Sequence, residues 1–445
     1  MQRDFNQHHR FYIITLGCKA NQYESAAIGL HLERQGYMPA SSAREATICI
    51  VNTCAVTQTS EAQSRQLIRR MLRENRHGTV IVTGCYAQAA PDDIANLSEH
   101  IHVLGNVEKD EIAAWIARID DSNVQIIRQV SDISRQSVFA TPACSVFRAR
   151  TRALLKIQDG CNSRCSYCIV PSVRGPSRSL PPEEVARRIE DLISAGYWEI
   201  ILTGIHLGSY GLDLSPRFTL GELLRYIVPL CTSPPVRIRL SSVEPNELTD
   251  ELMEVIAGNT HVICPHLHIP LQSGDDDMLR AMRRPYTAEG FEKIIERVAH
   301  EISDVNIGLD VIVGFPGETN RRFENTQALI RRHNIGYLHV FPFSRRQGTP
   351  AANFSDQIPA PVKKQRVQIL RTLGAQKKQA FMTTQLGKEQ FALIERSRQS
   401  HPGIFFGTTR NYIPVRVAST ASCIGREVKV KITKVCNGVA EATIV

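Results

Sequence analysis

The sequence has no uninterrupted apolar run of the eighteen or so residues that a membrane-spanning helix requires. Its opening segment, Met1 to Arg10, carries charges and lacks the apolar core of an export signal. A phosphate loop of the G-x4-G-K-[ST] type, a repeat of fixed period and a low-complexity tract are also missing. We therefore expect a soluble, unexported, cytoplasmic protein with no membrane partner.

The chain has 445 residues, of which 42% are hydrophobic and 22% charged, so two or three globular domains are expected. Twelve cysteines in a reducing compartment favour metal or catalytic roles over disulfides. The net charge is +9, and residues 361–445 alone contain fifteen Lys and Arg against four Asp and Glu. That basic segment is either a solvated helix face or a folded module that meets phosphate.

Two series of strands alternating with helices predict an α/β fold. In residues 9–120, the runs FYIITLG, ATICIVN, GTVIVTG and HIHVLGN indicate a doubly wound parallel sheet. Residues 119–150 are mixed and polar, and we interpret them as a linker. In residues 145–380, six strand–helix units from ALLKIQ to YLHVFPFS indicate a full or partial parallel (β/α) barrel.

The pattern of apolar and polar residues changes again in residues 384–445. The segments QFALIERS, NYIPVRVA, EVKVKITKV and AEATIV alternate apolar and polar residues, with turns and no helix between them. This pattern predicts a small antiparallel β-barrel of the kind that often binds oligonucleotides.

The strongest motif is GCNSRCSYCIVP, which spaces Cys161, Cys165 and Cys168 as C-x3-C-x2-C just after the first strand of the second series. Three such thiolates can hold a [4Fe-4S] cluster by three irons and leave the fourth open. Zinc would normally require a fourth ligand nearby, and none follows. The run resembles the signature of radical S-adenosylmethionine (SAM) enzymes, in which SAM chelates the open iron and yields a 5′-deoxyadenosyl radical.

Other strand ends of this barrel carry groups that could bind SAM, because barrel active sites form at the carboxyl ends of the strands. The alternative is that these residues only cap strands, form turns or, for the tyrosine, pack against neighbours. The candidates for binding SAM are Tyr167, Thr203, Gly204, Ser241, Glu244 and Gln272.

Three more cysteines, Cys18, Cys54 and Cys85, each follow a predicted strand of the N-terminal sheet directly. Because parallel strands end along one edge, these thiols are expected to gather into a shared metal site there. The other six cysteines follow no such rule and are expected to be small core or incidental residues.

The surroundings of these thiols, LGCKANQYES, VNTCAVT and TGCYAQ, resemble the N-terminal domain of radical SAM methylthiotransferases, and LTGIHLGSYG and FPFSRRQGTPAA extend the resemblance over most of the chain. Lys19, Gln22 to Glu24 and Ala55 to Thr57 are most similar to the branch acting on N6-threonylcarbamoyladenosine beside the tRNA anticodon. The final segment is similar to the RNA-binding TRAM module.

The resemblance implies two [4Fe-4S] clusters and SAM as cofactors. The cluster on Cys161, Cys165 and Cys168 would make the radical, and the one on Cys18, Cys54 and Cys85 would deliver methylated sulfur to C2 of the adenine. Implied partners are tRNA, an external electron donor of the flavodoxin or ferredoxin type, and a sulfur donor. Two alternatives remain: a methylthiotransferase acting on an aspartate of a ribosomal protein, and an RNA-binding iron–sulfur protein without catalysis.

The basic C-terminal segment, residues 361–445, is expected to form the RNA-binding surface. Its Lys and Arg side chains would contact phosphates. Phe405, Phe406 and Tyr412 would either stack on a base or fill the barrel core. His266 and His268 have no partner at metal-ligand spacing, so surface or packing roles are expected for them. The cations expected to bind RNA are Lys363, Lys364, Arg366, Arg371, Lys377, Lys378, Arg410, Arg416, Lys429, Lys431 and Lys434.

Overall fold

The structure is a computed structural model that describes residues 9–76, 78–120, 126–147, 150–395, 403–418 and 423–445. The chain divides into two compact units. The first takes in the described part of Met1–Val146 together with Gln158–Ser179 and Ser344–Thr349. The second takes in the described parts of Phe147–Ile157, Leu180–Phe343 and Pro350–Val445. Each unit is therefore assembled from separate stretches of sequence.

A parallel sheet of six strands forms the centre of the first unit, with the order β2-β1-β3-β4-β5-β6. The four longer strands are the predicted ones, which confirms the expected doubly wound sheet. The strands are β1 (Arg10–Thr15), β2 (Met38–Pro39), β3 (Ile48–Thr53), β4 (Thr79–Gly84), β5 (Ile101–Leu104) and β6 (Arg128–Gln129).

Helices cover both faces of this sheet. They are α1 (Lys19–Arg34), α2 (Gln58–Glu74), α3 (Cys85–Ala89), α4 (Pro91–Ala95) and α5 (Ile112–Asp120). Ile48 and Ile50 of β3 belong to a core cluster with residues of α1 and α5, whereas Cys49 and Val51 belong to a cluster with residues of α2 and α3. Successive strand side chains point to opposite faces, so a strand covered on both is apolar throughout.

Part of the predicted linker belongs to the sheet. Strand β6 pairs with β5, and the Ser131 N–H donates a hydrogen bond to Glu108 Oε1 at 3.1 Å. The interpretation as a linker was wrong for this stretch, because two paired residues at a sheet edge leave no hydrophobic pattern to detect. Residues 121–125 and 148–149 of the predicted linker lie outside the described residues.

The chain next forms β7 (Ala153–Lys156) of the second unit and then an antiparallel pair of the first unit, β8 (Gln158–Asp159) and β9 (Arg178–Ser179). The pair brackets a loop and the short helix α6 (Val170–Arg174). Gly160 has a φ of +70°, and a Cβ there would lie 1.9 Å from the carbonyl oxygen of Pro176. Only glycine fits where the two ends of this loop approach each other.

In the second unit, β7 and five further strands form two parallel three-stranded sheets, ordered β11-β10-β7 and β12-β13-β14. Parallel bridges at Ile238–Ile263 and Ser242–His268 link them. The expected partial (β/α) barrel is confirmed. The strands are β10 (Glu199–Thr203), β11 (Arg237–Leu240), β12 (His266–His268), β13 (Asn306–Val313) and β14 (Tyr337–Pro342). The helices are α7 (Pro182–Ser194), α8 (Leu220–Ile227), α9 (Asp250–Gly258), α10 (Asp276–Ala281), α11 (Ala288–Glu301), α12 (Asn320–Arg332) and α13 (Ala360–Thr383).

The C-terminal strands close into a barrel with the order β15-β16-β17-β19-β18, which confirms the predicted barrel. They are β15 (Glu389–Glu395), β16 (Ile404–Thr409), β17 (Pro414–Ala418), β18 (Glu427–Cys436) and β19 (Val439–Ile444). Strands β17 and β19 pair in parallel rather than antiparallel as expected. The chain runs through the long strand β18 between them and so returns to β17 in the same direction.

Buried charges connect this barrel to the amino ends of β10 and β11 within the second unit. Glu199 pairs with Arg237 and Arg239, and all three side chains are at most 1% exposed. Arg237 also donates to the carbonyl of Thr408 at 2.8 Å, and Arg239 to that of Arg410 at 2.9 Å. One carboxylate therefore holds two guanidiniums that hydrogen-bond to the barrel backbone.

Candidate functional site

The three N-terminal cysteines lie at the carboxyl ends of neighbouring strands of the first unit. Cys18 caps α1 after β1, Cys54 follows β3, and Cys85 begins α3 after β4. A Cβ on Gly17, whose φ is +99°, would lie 2.9 Å from Cys54 Sγ, so the segment before Cys18 lies directly against Cys54. The structure thus brings the three predicted thiols to one edge of the sheet.

Electrostatics support a cationic group at these thiols. Burial, with smaller contributions from the neighbouring Cys85 and Cys18, raises the pKa of Cys54 to about 11. Desolvation by surrounding protein atoms also raises the pKa of Cys18, although that residue keeps exposed surface. Thiols in such a position become thiolates when they coordinate iron, because the metal charge compensates for the lost solvation. The donor set therefore fits an iron–sulfur cluster.

Arg174, on α6 of the same unit, lies beside this site and was missed by sequence reasoning. Its Nε is 3.3 Å from Cys85 Sγ, and its guanidinium pairs with Glu24 and lies 3.3 Å from Asp159 Oδ1. Asn21 accepts a further hydrogen bond from it. The side chain is 1% exposed, so this cation is committed to partners inside the protein.

Further charges surround Arg174. Lys109 Nζ lies 2.5 Å from Glu24 Oε2, and Arg178 lies 2.9 Å from Asp159 Oδ2. Both pairs are almost fully buried. The only sequence signal was that Arg174 and Arg178 follow the C-x3-C-x2-C motif closely in VRGPSRS. Nothing in the sequence indicates their acidic partners, Glu24 and Asp159, of which Glu24 is 150 residues away from Arg174.

The C-x3-C-x2-C loop is a compact turn of the first unit. The Cys161 N–H donates to the carbonyl of Gly175 at 3.0 Å, and the Cys168 N–H donates to the carbonyl of Cys165 at 3.1 Å. Backbone amides of Ser163 and Val170 approach Cys161 Sγ and Cys168 Sγ, each at 3.4 Å. Such N–H···S contacts stabilise thiolates that ligate iron.

The exposure of these cysteines also fits a ligand site. Cys161, Cys165 and Cys168 are all partly exposed, and so is Tyr167, which lies between buried Ser166 and Cys168. By contrast, four cysteines expected in cores, Cys49, Cys144, Cys231 and Cys264, are buried, and Cys423 and Cys436 are partly exposed. The ligand roles of the three loop cysteines remain predictions.

The other SAM-binding candidates lie at strand ends of the second unit. Thr203 ends β10 and Gly204 follows it, Ser241 follows β11, and Gln272 follows β12. Ser241 Oγ is buried and has no hydrogen-bond partner among the described residues. An unsatisfied buried hydroxyl costs about 1–3 kcal/mol, so a polar ligand atom at this position would be stabilising.

Glu244 and Gln272 are held in defined conformations. Glu244 pairs with Arg284 and, with Glu247, forms a capping box at a short 3₁₀ turn. Gln272 has a φ of +63°, and its N–H donates to the carbonyl of Asp310 at 2.8 Å. A positive φ at a non-glycine residue is strained and occurs often at functional sites. Arg284 was not anticipated from the sequence.

The predicted RNA-binding cations fall into two groups, and four of them are engaged inside the second unit. Arg366 is 5% exposed and lies 2.7 Å from Glu318 Oε2. Lys363 donates to the carbonyl of Phe343, Lys377 to those of Arg331 and His333, and Arg410 pairs with Glu427. Arg366 is buried and bonded inside the protein, whereas RNA contact by Lys363, Lys377 and Arg410, which are only partly buried, stays a prediction.

The second group is exposed on α13 and on the barrel. Arg416 pairs with Glu441, and Lys429 with Glu389, at the surface. Lys378 is half-buried. The exposed cations are Lys364, Arg371, Arg416, Lys429, Lys431 and Lys434.

Two of the three candidate stacking aromatics have packing roles. Phe405 packs against the barrel core. The Tyr412 ring lies 4.3 Å from the His266 ring, and the Arg239 guanidinium lies 5.0 Å from its centroid. Phe406 is partly exposed.

Three family profiles match successive parts of the chain. Uncharacterized protein family UPF0004 matches residues 10–105, the Radical SAM superfamily residues 155–330, and the TRAM domain residues 383–445. Solved structures support the fold: the radical SAM methyltransferase TsrM of Kitasatospora setae covers 77% of this chain at a TM-score of 0.56 and 16% identity, over 77% of its own length. Fold and cysteine arrangement thus define a radical SAM protein with a TRAM domain.

Proteins of similar sequence identify the family within this class of radical SAM proteins. The threonylcarbamoyladenosine tRNA methylthiotransferase MtaB of Bacillus subtilis (strain 168) is 40% identical over 94% of this chain and 93% of its own. That of Rickettsia prowazekii (strain Madrid E) is 36% identical over 97% of both. A tRNA-2-methylthio-N(6)-dimethylallyladenosine synthase of Carboxydothermus hydrogenoformans is 33% identical over 95% of this chain and 96% of its own. The chain belongs to the radical SAM methylthiotransferase family.

Membership of this family defines the class of reaction and the cofactors. The chain is an enzyme that transfers a methylthio group, and its cofactors are SAM and two [4Fe-4S] clusters. In the part of the chain that the structure describes, no helix is long and apolar enough to cross a membrane.

Proposed function

We propose that this enzyme converts N6-threonylcarbamoyladenosine at position 37 of tRNA, next to the anticodon, into its 2-methylthio derivative. The observation that carries the proposal is the 40% identity, over nearly the full length of both chains, to a relative named for this activity. Two cysteine trios and a C-terminal barrel with exposed cations match the parts that such an enzyme requires.

In this proposal each cysteine trio holds one cluster. Cys161, Cys165 and Cys168 ligate the cluster that binds SAM, and Cys18, Cys54 and Cys85 ligate the second cluster. When bound, these cofactors supply hydrogen abstraction from C2 of the adenine and the methylated sulfur that replaces it. The residues proposed to bind SAM are Tyr167, Thr203, Gly204, Ser241, Glu244 and Gln272.

The protein's own residues bind, orient and compensate charge. Arg174 lies against Cys85 with its charge balanced by Glu24 and Asp159, so it fixes that thiol next to a positive group. Backbone amides of Ser163 and Val170 orient two loop sulfurs. Such contacts tune a cluster without being part of its ligand set.

Partners and location complete the proposal. The tRNA would contact the exposed cations of α13 and the barrel, and a flavodoxin- or ferredoxin-type protein would supply electrons. A separate sulfur donor would restore the sulfur that each turnover consumes. All of these lie in the cytoplasm.

Nucleoside mass spectrometry of tRNA tests this function directly. A deletion strain should lose 2-methylthio-N6-threonylcarbamoyladenosine, and the wild-type gene should restore it whereas a Cys54→Ala gene should not. An unchanged tRNA profile with altered mass of a ribosomal protein would favour the protein-modifying alternative. Intact clusters without 5′-deoxyadenosine release from SAM would contradict catalysis altogether.

A further inference from the structure

Three polar side chains of the second unit converge on one point of the β12-β13-β14 sheet. They are His268 at the end of β12, Asp310 in β13 and His339 in β14, called here the His–Asp–His cluster. His268 Nε2 lies 2.8 Å from Asp310 Oδ1, and His339 Nδ1 lies 3.2 Å from the same oxygen. Because the three residues come from three strands, local ligand spacing in the sequence does not reveal the cluster.

The distances within the His–Asp–His cluster fit three ligands of one metal ion. Nitrogen and oxygen ligands lie about 2.0–2.2 Å from a zinc ion, so neighbouring ligand atoms are about 3 Å apart. The two distances to Asp310 Oδ1 have this length, and the three ligand atoms all lie within 4.8 Å of one another. Without an ion, both rings are hydrogen-bonded to that one oxygen. An ion would replace these hydrogen bonds with coordination bonds and would require only small shifts of the side chains.

A second contact orients the His268 ring as a metal ligand requires. Its other nitrogen, Nδ1, lies 3.0 Å from Tyr337 Oη, and that oxygen lies 2.8 Å from His266 Nε2. Ligating histidines almost always donate their second ring N–H to an acceptor, which fixes the tautomer and the orientation of the ring. With Nε2 on a metal, His268 Nδ1 carries the proton and donates to Tyr337 Oη, whose hydroxyl donates to His266 Nε2.

Gly308 makes room for the tyrosine that holds His268. A Cβ at this position of β13 would lie 2.0 Å from Cζ of the Tyr337 ring. The ring therefore lies directly over the glycine, which is two residues before Asp310 and so on the same face of the sheet. The contact between Tyr337 and His268 is thus built into the sheet.

The His–Asp–His cluster is buried at one end and open to solvent at the other. The exposed fraction of the side chain rises from 8% for His268 through 24% for Asp310 to 57% for His339. Three protein ligands with an open side leave coordination positions for water, as in catalytic zinc sites and in ferrous sites with two histidines and one carboxylate. Two imidazoles favour such metals over Mg²⁺ and Ca²⁺, which prefer oxygen ligands.

We propose that His268, Asp310 and His339 bind one divalent transition-metal ion, with Zn²⁺ the best fit, and leave its remaining coordination positions open to solvent. This site differs in chemistry from both iron–sulfur clusters, because its ligands are nitrogen and oxygen atoms of the second unit and no thiolate takes part. One carboxylate leaves a Zn²⁺ ion with a net positive charge, so its open positions accept oxygen donors. The proposal does not depend on which RNA the enzyme modifies.

Zinc binding to the cluster-loaded enzyme tests this proposal. The protein is equilibrated anaerobically with buffered Zn²⁺, and bound zinc and iron are counted by mass spectrometry. The wild type should hold about one zinc per chain, and X-ray absorption should show only nitrogen and oxygen ligands at about 2.0–2.2 Å, instead of sulfur at about 2.3 Å. Its iron content should stay complete, and excess Mg²⁺ should not displace the zinc.

Variants identify the ligands. Asp310→Asn and His339→Ala should each weaken zinc affinity by at least about tenfold, and Tyr337→Phe, which keeps all three ligands, by about 10–100-fold. His300→Ala, an exposed residue at the end of α11, is the matched control and should bind zinc as the wild type does. Iron content and circular dichroism report folding. Because His339 is exposed, its replacement tests the site even if Asp310→Asn does not fold.

The outcomes separate this inference from the proposed function. Zinc retained equally by the wild type and His339→Ala, a sulfur ligand around the zinc, or no zinc retained by the wild type would each overturn the inference. None of these readouts requires turnover of RNA. A failure of the proposed function in the tRNA assay would therefore leave the zinc result unaffected.

Discussion

Arg174 contributes both to the buried interior and to the predicted metal site of the first unit. A planar guanidinium presents several donors in fixed directions, and here they point to Glu24, Asp159 and Cys85 at once. A lysine ammonium is one point charge and cannot reach three partners in this geometry. The residue therefore couples the stability of the unit to the environment of one predicted cluster ligand.

Replacing Arg174 by Gln should destabilise the first unit. Glu24 and Asp159 would each keep only one cationic partner in a buried setting, and such a loss costs about 3 kcal/mol. The unfolding midpoint of the cluster-loaded protein, followed by circular dichroism, should fall on the order of 10 °C. The control is Arg187→Gln, because the Arg187 side chain is 52% exposed. This change should lower the free energy of unfolding by at most about 1 kcal/mol. Equal midpoints for both variants would contradict the role given to Arg174.

Single cysteine replacements should separate the two predicted clusters. Cys161→Ala should abolish release of 5′-deoxyadenosine, whereas Cys54→Ala should preserve it and stop thiomethylation. Each variant should contain about four irons per chain instead of about eight, since one [4Fe-4S] cluster remains. Cys436→Ser, in a partly exposed position at the end of β18, should change neither quantity. Loss of all iron in Cys54→Ala would argue against independent clusters.

At the scale of elements, the parallel strands and their ends could be predicted from the sequence. Buried parallel strands form continuous apolar runs, which are easy to recognise. ICIV at Ile48–Val51 is such a run, and the cysteine after it had to lie at the sheet edge. Strand β6 was not predicted, because Arg128 and Gln129 are polar and exposed. The partners of Arg174 were not predicted either, since Glu24 is 150 residues away in the chain and no local pattern links the two residues.

The pairing of β10 with β11 depends on a buried carboxylate. Glu199→Gln should leave Arg237 and Arg239 as buried cations with one partner fewer each, at a cost of about 3–5 kcal/mol. The unfolding midpoint of the cluster-loaded protein should therefore fall. Glu184→Gln, at a pair whose carboxylate is 30% exposed on α7, should have a much smaller effect. A midpoint unchanged by Glu199→Gln would mean that the two arginines are satisfied without it.

At the scale of the whole molecule, net charge predicts a polyanionic partner but does not identify the residues that would contact it. Arg366 and Lys377 count toward the basic tail, yet they bond to Glu318 and to backbone carbonyls. Charge in a sequence does not reveal whether a cation faces solvent or an internal acceptor. Likewise, the sequence placed His268 in a packing role, because its partners Asp310 and His339 come from other strands.

The salt dependence of tRNA binding should identify the cations that contact RNA phosphates. Lys431→Ala combined with Lys434→Ala removes two exposed charges of β18, and each lost phosphate contact lowers the slope of log affinity against log salt by about 0.7–0.9. The slope for tRNA binding to the double variant should therefore be smaller than for the wild type. Lys293→Ala, at an exposed pair on α11, is the control and should leave the slope unchanged. An unchanged slope in the double variant would exclude Lys431 and Lys434 from the RNA-binding surface.

The C-x3-C-x2-C loop belongs to the first compact unit, although the sequence on both sides of it belongs to the second. An expression fragment ending at Val146 would lack Arg174 and would leave Lys109 as the cation beside Glu24. A fragment starting at Phe147 would separate the cysteine loop and Arg174 from Asn21, Glu24 and Cys85, to which Arg174 bonds. No single cut in the gene yields both units whole, so the enzyme has to be expressed and studied as one polypeptide.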